Sequence, residues 1–215
     1  MSAAPPSTAR NPFARATFLK SAHEISQLPL DAGAEIAFAG RSNSGKSSAL
    51  NAICAQKSLA RVSKTPGRTQ QLVIFTLTEE HRLVDLPGYG YAKVPHELRE
   101  HWGDVLMQYF HSRGSLRGLA LTMDVRHPMG PFDQQMLALA QRGNHRCHVL
   151  LTKADKLSRG AALTTLHSVR HTLTQIDPQH TVQLFSALKG DGVDAARSTL
   201  GAWFAPSRKG SVTDG

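Results

Sequence analysis

The segment at 40–47, with the sequence GRSNSGKS, constrains the fold of this chain more than any other stretch. It fits the phosphate-loop pattern G-x-x-x-x-G-K-[ST], and it lies between a predicted buried strand at 35–39 and a predicted helix that starts at 48–53. Glycines let the backbone wrap closely around a phosphate, and the helix N-terminus adds its dipole to the same site. In this pattern Lys46 would reach the β- and γ-phosphates and the Ser47 hydroxyl would ligate Mg²⁺. The predicted phosphate-binding residues are Gly40, Arg41, Ser42, Asn43, Ser44, Gly45, Lys46 and Ser47.

Strands and helices alternate from residue 35 onward, which predicts an α/β fold with a largely parallel sheet. We expect a three-layer phosphate-loop domain with helices on both faces of a six-stranded sheet. A hairpin formed by 71–78 and 81–85 would place one antiparallel strand at the sheet edge. The remaining predicted strands are 118–125, 147–151 and 181–185, with 17–21 as a candidate first edge strand. The remaining predicted helices are 95–111, 131–142, 161–176 and 192–204.

The chain has 215 residues, a length that suits one domain, which we predict at 17–205. The Ala/Pro/Ser-rich residues 1–16 are predicted to be disordered and 206–215 to be a flexible tail. No apolar run approaches the roughly 20 residues of a membrane span, and the N-terminal residues lack the continuous apolar core of a secretory signal. We therefore expect a cytoplasmic protein, with Cys54 and Cys147 as free thiols.

The formal net charge is +9, from 25 Lys and Arg against 16 Asp and Glu. Such an excess favours a polyanionic partner, because each neutralised phosphate releases counterions. The alternative is a merely basic surface, since net charge alone specifies neither fold nor partner.

The phosphate loop alone leaves ATPases, nucleotide kinases and GTPases open. The sequence Asp85-Leu86-Pro87-Gly88 at the end of a predicted strand narrows the choice. Asp85 would hold Mg²⁺ through water, and the Gly88 N–H would reach the γ-phosphate. Because ligands bind at the carboxyl ends of the strands in such sheets, this loop and the phosphate loop are expected to meet.

The sequence Thr152-Lys153-Ala154-Asp155 follows another predicted strand and indicates which base is bound. A carboxylate at Asp155 would accept two hydrogen bonds from guanine, whereas adenine would present a lone pair to a charge left unpaired. The apolar stem of Lys153 would lie against one face of the base. After the last predicted strand, the backbone N–H of Ala187, in the sequence Phe185-Ser186-Ala187, would bond the guanine O6.

The basic segment at 60–69 has no periodicity and is predicted to be a loop. We expect it to supply a hydroxyl that senses the γ-phosphate, from Thr69 or, as the competing choice, Thr65. Arg68 and Lys64 would contact phosphate or a partner, or remain solvated loop charges.

Taken together, the motifs GRSNSGKSS, KTPGRTQ, DLPGYGYAKV, TKADKL and FSALKGDG resemble those of the EngB family of bacterial GTPases. The resemblance runs from about residue 18 to 204. It implies Mg²⁺-dependent GTP binding and hydrolysis, a part in assembly of the large ribosomal subunit from its RNA and proteins, and a link to septation. By position it makes Lys46, Thr69 and Gly88 catalytic and gives Mg²⁺ the ligands Ser47 and Thr69. The first switch would comprise Gly67, Arg68, Thr69, Gln70 and Gln71, the second Asp85, Leu86, Pro87 and Gly88, and the guanine site Thr152, Lys153, Ala154, Asp155, Phe185, Ser186 and Ala187.

Tyr89 follows Gly88 at the place where many GTPases have the glutamine that orients water. A phenol cannot replace that carboxamide, so we expect slow hydrolysis by the isolated protein, with a K⁺ ion at Asn43 or a ribosomal partner as hypothetical activators. The chain is expected to be monomeric. Two other functions stay open: a GTP-dependent division-site protein acting through protein partners, and an ATP-using kinase or ATPase.

Overall fold

The computed structural model describes residues 11–60, 71–88 and 96–205, with the backbone alone at 96–99. The strands are β1 (Thr17–Ala22), β2 (Ala34–Gly40), β3 (Leu72–Thr76), β4 (His81–Asp85), β5 (Leu116–Asp124), β6 (Arg146–Thr152) and β7 (Thr181–Leu184). The helices are α1 (Lys46–Ile53), α2 (His96–Ser112), α3 (Pro131–Arg142), α4 (Arg159–Ile176) and α5 (Val193–Gly201), with short 3-10 turns at Ile25–Gln27, Ala154–Lys156 and Ala202–Phe204. Across these ranges no helix combines the length and the apolar character that crossing a membrane requires.

All strands join one sheet in the order β1-β3-β4-β2-β5-β6-β7. The pairs β2/β4, β2/β5, β5/β6 and β6/β7 are parallel, whereas β3 is antiparallel to both of its neighbours. The three-layer α/β architecture and the hairpin are confirmed, but the sheet has seven strands rather than six. The seventh strand is β1, which corresponds to the candidate edge strand at 17–21, pairs along one side only and leaves its first four residues exposed. The antiparallel strand therefore lies one place in from the edge.

Each face of the sheet buries its own apolar cluster. Helices α2, α3 and α4 cover one face with side chains such as Trp102, Leu137 and Leu173. Helices α1 and α5 cover the other face with side chains such as Leu50 and Leu200. The prediction of helices on both faces is confirmed.

Residues 11–16 are ordered, and the prediction that 1–16 is disordered was wrong for this part. Phe13 is fully buried, and its ring lies 5.9 Å from that of Phe204 at the other end of the chain. The Asn11 side-chain amide donates to the carbonyl of Ile53 at 3.0 Å. Composition suggested disorder because alanine, proline and serine dominate the segment, yet one aromatic residue is enough to anchor it. Residues 1–10 and 206–215 lie outside the described ranges.

The two cysteines are buried free thiols, as the sequence predicts. Cys54 ends α1 and Cys147 lies in β6, so each belongs to a different side of the core. Burial raises the pKa of both thiols, to about 12 for Cys54, and thereby keeps them protonated and unreactive.

Candidate nucleotide-binding site

The phosphate loop joins the carboxyl end of β2 to the first turn of α1. Asn43 and Gly45 adopt left-handed backbone angles, with φ of 61° and 89°. A Cβ atom at Gly40 would lie 2.0 Å from the Thr122 hydroxyl, so only glycine fits there. The N–H groups in the first turn of α1 have no carbonyl one turn earlier in the helix to bond. The loop and these groups form the cradle that an anionic phosphate requires.

Ser44 holds the phosphate loop to the sheet. Its hydroxyl is buried, 2.8 Å from the hydroxyl of Thr122 on β5, and its N–H donates to the carbonyl of Arg41 at 3.0 Å. Thr122 in turn donates to the carbonyl of Ala39 at 3.1 Å. The side chain of Ser44 thus anchors the loop to β5 and faces away from the place where phosphate would lie.

The D-x-x-G segment lies beside the phosphate loop, as the sequence predicts. The ammonium of Lys46 forms an ion pair with the carboxylate of Asp85, and both side chains are only 12% exposed. A Cβ atom at Gly88 would lie 3.8 Å from the carbonyl oxygen of Gly40 and 4.0 Å from the N atom of Ser42. The carboxyl ends of β2 and β4 therefore converge on one site.

The residues at this edge fit a magnesium ion. Ser47 presents a hydroxyl in the first turn of α1, and Asp85 presents a carboxylate at the end of β4. Mg²⁺ prefers such oxygen donors and keeps several water or phosphate ligands of its own. Ser47 would hold the ion directly and Asp85 would hold it through water, and the ion would neutralise phosphate charge. The other predicted ligand, Thr69, lies outside the described residues.

Thr152 connects the base-recognition loop to the phosphate loop. It is the last residue of β6, and its buried hydroxyl lies within hydrogen-bond distance of the carbonyls of both Ser44 and Met123. A Cβ atom at Gly45 would come within 3.3 Å of that hydroxyl, so the two loops pack in direct contact. Thr152 therefore positions the loops instead of reading the base.

Lys153 spans the gap between the same two loops. Its backbone has a left-handed φ of 57°, and its ammonium donates to the carbonyl of Asn43 at 2.6 Å. The same ammonium lies 3.0 Å from a carboxylate oxygen of Asp124. The aliphatic stem is thereby stretched along the wall where a base would stack.

Asp155 is held as an anion by the loop that follows β7. The buried hydroxyl of Ser186 donates to one of its carboxylate oxygens at 2.6 Å, and this bond is the main reason that the pKa of Asp155 lies below its usual value. Lys156 lies 3.4 Å from the other oxygen. Each carboxylate oxygen has two lone pairs, so both can still accept a hydrogen bond from a ligand. One backbone contact joins the two loops: Ala154 N–H donates to the carbonyl of Phe185 at 3.1 Å. Ala187 lies exposed beside Ser186.

Most of the predicted first switch, namely Gly67, Arg68, Thr69 and Gln70, lies outside the described residues, as do Lys64 and Thr65 of the preceding basic loop and Tyr89 after the second switch. Gln71 is described, and its side-chain amide contacts the ring of His23 at 2.6 Å. Strand β3, which begins after Gln71, is separated from β2 by β4. The amide of Gln71 is thus engaged beside β1, two strands from the phosphate loop.

Sequence reasoning missed two residues of this edge, Thr122 and Asp124. Both lie near the carboxyl end of β5, where Thr122 braces Ser44 and Asp124 contacts Lys153. The available signal was their spacing: two polar residues, two positions apart, interrupt an otherwise apolar strand end and so share one face.

These features define a class of protein. A parallel sheet whose carboxyl edge joins a phosphate loop, a D-x-x-G segment and a base loop ending in Asp155 is the site of a phosphate-loop GTPase. A family model described as "50S ribosome-binding GTPase" matches residues 35–153, which contain the phosphate loop, the D-x-x-G segment and the first two residues of the base loop.

Two curated relatives make the assignment more specific. The probable GTP-binding protein EngB of Xylella fastidiosa (strain Temecula1 / ATCC 700964) is 53% identical over 201 residues, which cover 93% of this chain and 99% of the relative. The probable GTP-binding protein EngB of Stenotrophomonas maltophilia (strain K279a) is 55% identical over 190 residues, covering 88% of this chain and 95% of the relative. The chain belongs to the EngB family of GTPases, as its motifs predicted.

Solved structures agree on the fold. A crystal structure of a probable GTP-binding protein engB superposes with a TM-score of 0.64 at 21% identity, covering 80% of this chain and 98% of that one. The elongation factor SelB of Methanococcus maripaludis, crystallised with the GTP analogue GppNHp, superposes with a TM-score of 0.56 at 16% identity, covering 80% of this chain and 34% of that one. At these identities the likeness extends to the fold alone.

Proposed function

We propose that this chain is a Mg²⁺-dependent GTP-binding switch that hydrolyses GTP to GDP and phosphate. The observation that supports it best is Asp155, an anion set at a strand end beside the phosphate loop and held there by Ser186. Membership of the EngB family agrees with this proposal.

The carboxylate of Asp155 selects the base by hydrogen-bond polarity. Guanine offers N1–H and an exocyclic amine, which two carboxylate oxygens accept together. Adenine offers an unprotonated N1 and no amine at that edge, so its lone pair would face the charge. Sites built to pair a specific donor reject the analogue that lacks it strongly.

Competition binding tests the choice of nucleotide. The purified protein is mixed with labelled GTP and Mg²⁺, and unlabelled GTP, GDP or ATP is added in excess. We expect GTP and GDP to displace the label and ATP to leave it bound at a thousandfold excess. Displacement by ATP as effective as that by GTP would point instead to an ATPase or kinase.

Lys46 supplies the main positive charge of the phosphate site. We infer that it exchanges its pairing with Asp85 for the β- and γ-phosphates when nucleotide binds, because phosphate carries more charge than one carboxylate. There it would stabilise the charge that develops as water attacks the γ-phosphorus atom, with Gly88 N–H and Thr69 as the predicted contacts of the γ-phosphate.

We propose that hydrolysis by the isolated protein is slow. Tyr89 lies at the position where a glutamine would orient the water, and a phenol does not offer the same paired donor and acceptor. A K⁺ ion held at Asn43 is one proposed source of the missing charge, and a ribosomal partner is the other. GTP turnover compared in K⁺ and Na⁺ buffers separates them: equal rates would remove the K⁺ hypothesis.

We further propose that the switch acts in assembly of the large ribosomal subunit in the bacterial cytoplasm, as a monomer, with septation depending on it indirectly. The net charge of +9 suits an RNA partner, and the description of the matching family model names ribosome binding. Such a switch works only if one nucleotide state binds the particle more tightly than the other.

Co-sedimentation tests this role. The protein, loaded with a non-hydrolysable GTP analogue or with GDP, is spun with purified large subunits at moderate salt. We expect more protein to sediment in the GTP-like state, and depletion in cells to leave immature large subunits. Absence of binding in both states, together with normal ribosome profiles, would favour the alternative of a division-site protein with protein partners.

A further inference from the structure

The carboxyl end of β5 carries a buried acid that contacts Lys153 of the base loop. Asp124 is the last residue of β5 and is only 7% exposed. The guanidinium of Arg126 donates to both of its carboxylate oxygens, at 2.9 and 2.7 Å, and the Arg126 N–H adds a third bond at 3.1 Å. These bonds are the main reason that the pKa of Asp124 lies well below its usual value, so the group is charged at neutral pH.

The ammonium of Lys153 is a second cation on the same carboxylate. It lies 3.0 Å from Asp124 and donates at 2.6 Å to the carbonyl of Asn43 in the phosphate loop. An ammonium on a four-carbon stem loses considerable side-chain entropy when it is fixed. Here one anion and one backbone carbonyl, supplied by different strands and loops, fix it in a single place.

We propose that Asp124 is a positioning residue for nucleotide binding: through Lys153 it fixes the wall against which the guanine base packs and ties that wall to the phosphate loop. This inference rests on the proposed function and extends it to a residue that lies outside the phosphate-loop, D-x-x-G and base-loop motifs. Arg126 completes the arrangement by holding the carboxylate in the orientation that Lys153 requires. Its own side chain is 43% exposed at the mouth of the site.

The position of Lys153 also affects Asp155, which must keep its oxygens for the base. Lys153 and Asp155 are two residues apart, and Asp124 supplies the lysine with a different anion to pair with. With Asp124 neutralised, Lys153 loses its charged partner and becomes free to move toward the next acid in the loop. Both effects weaken binding of the base without touching the phosphates.

The test compares Asp124→Asn, Lys153→Ala and the double variant by titration with fluorescent GDP and a fluorescent GTP analogue. We expect Asp124→Asn to weaken both nucleotides by the same factor, about tenfold, the effect of one charge-assisted hydrogen bond. In steady-state hydrolysis the KM for GTP should rise while kcat stays constant, because the base wall is unchanged between bound substrate and transition state. In the double variant, Asp124→Asn should add less than twofold to the effect of Lys153→Ala, because the acid acts through the lysine.

Asp31→Asn is the matched control. Like Asp124, Asp31 accepts backbone N–H bonds, in its case two, from Gly114 and Ser115, and pairs with an arginine, Arg113, but at the opposite end of the sheet. It should leave both affinities unchanged. If Asp124→Asn fails to fold, Arg126→Ala provides the second variant, with an expected smaller loss of affinity in the same KM-only pattern.

The outcomes separate the two proposals. Affinities within twofold of wild type for folded Asp124→Asn, or effects of Asp124→Asn and Lys153→Ala that simply add, would overturn the positioning role while leaving guanine binding intact. A wild-type protein that binds neither fluorescent nucleotide would overturn the proposed function itself.

Discussion

The two ends of the sheet both bury charged groups, but they use them differently. At the amino end, Glu35 at the start of β2 is 1% exposed and accepts hydrogen bonds from Arg82, Arg113 and Tyr109. At the carboxyl end, the ion pairs of Lys46 and Lys153 join loops and helix starts instead of strand interiors.

The amino-end network is closed. Each oxygen of Glu35 accepts two hydrogen bonds, and Nη2 of Arg82 also donates to the carbonyls of Leu30 and Ala32. Because both oxygens of Glu35 are already bonded within the protein, the buried network has no acceptor left for a ligand, and its role is to fix the structure. At the carboxyl end Lys153 is one-third exposed, and each carboxylate oxygen of Asp155 keeps a lone pair that a nucleotide can use.

The largest effect should come from breaking the closed network. Glu35→Ala removes the buried carboxylate to which both Arg82 and Arg113 donate, and we expect the unfolding free energy to fall by about 3–5 kcal/mol. Chemical denaturation measures the loss. Tyr109→Phe, which removes only the 3.3 Å bond to Glu35, should cost about 1 kcal/mol and serve as the mild variant. For either variant that remains folded, an altered GDP affinity would mean that the amino-end network also contributes to nucleotide binding.

Lys46→Ala, in contrast, should affect nucleotide binding more than it affects stability. Loss of the only ammonium in the phosphate loop should weaken GDP and GTP by at least about 100-fold, since charge-assisted bonds to phosphate are among the strongest in such sites. Unfolding free energy without nucleotide should fall by less than in Glu35→Ala, because one ion pair is lost instead of a network of four buried hydrogen bonds. Nucleotide titration and denaturation of the same preparation give both numbers, and unchanged nucleotide binding would refute the phosphate-site assignment.

A change of pH should have a smaller effect, and it should alter the stability of the fold while leaving nucleotide affinity unchanged. Burial lowers the pKa of His148 and His180, which lie in β6 and just before β7. Because the folded state resists protonation, the unfolded state binds more protons below about pH 6.5, so the stability present above that pH is lost as pH falls. The lowered pKa values of Asp124 and Asp155 act only below about pH 4.

We therefore expect unfolding free energy to decline from pH 7 to 5.5 with uptake of about one to two protons, while GDP affinity stays level. His180→Phe tests the cause, because both ring nitrogens of His180 are buried and unpartnered among the described residues. This variant should match or exceed wild-type stability at pH 7 and flatten the pH slope. If the pH dependence of the unfolding free energy is unchanged in this variant, groups other than His180 take up the protons.

The sequence was most informative where chemistry requires particular residues at fixed spacing. The phosphate loop, the D-x-x-G segment and the base loop were all recognisable, and α3 begins and ends at the predicted residues. Each of these depends on local requirements: a glycine where a Cβ would collide, an acid after a buried strand, a proline at a helix start.

Sequence reasoning failed where a role depends on which strands become neighbours. Glu35 was assigned to a buried strand without any sign of the arginines, 47 and 78 residues away, that neutralise it. The role of Asp124 was missed because it depends on the pairing of β5 with β6. The burial of Phe13 was missed because a single apolar residue in a polar, proline-containing segment does not indicate an ordered structure. Long-range pairing of this kind has no local signature.

The central claim, that this edge of the sheet reads guanine through Asp155, is tested most directly by Asp155→Asn. Xanthine carries an oxygen where guanine carries its exocyclic amine, so an asparagine amide can donate where the carboxylate could only accept. Affinities for GDP and for xanthosine diphosphate are measured on wild type and variant. We predict that wild type prefers GDP by at least about 100-fold and that Asp155→Asn reverses the preference. A variant that binds GDP as tightly as wild type and ignores the xanthine nucleotide would contradict the assignment.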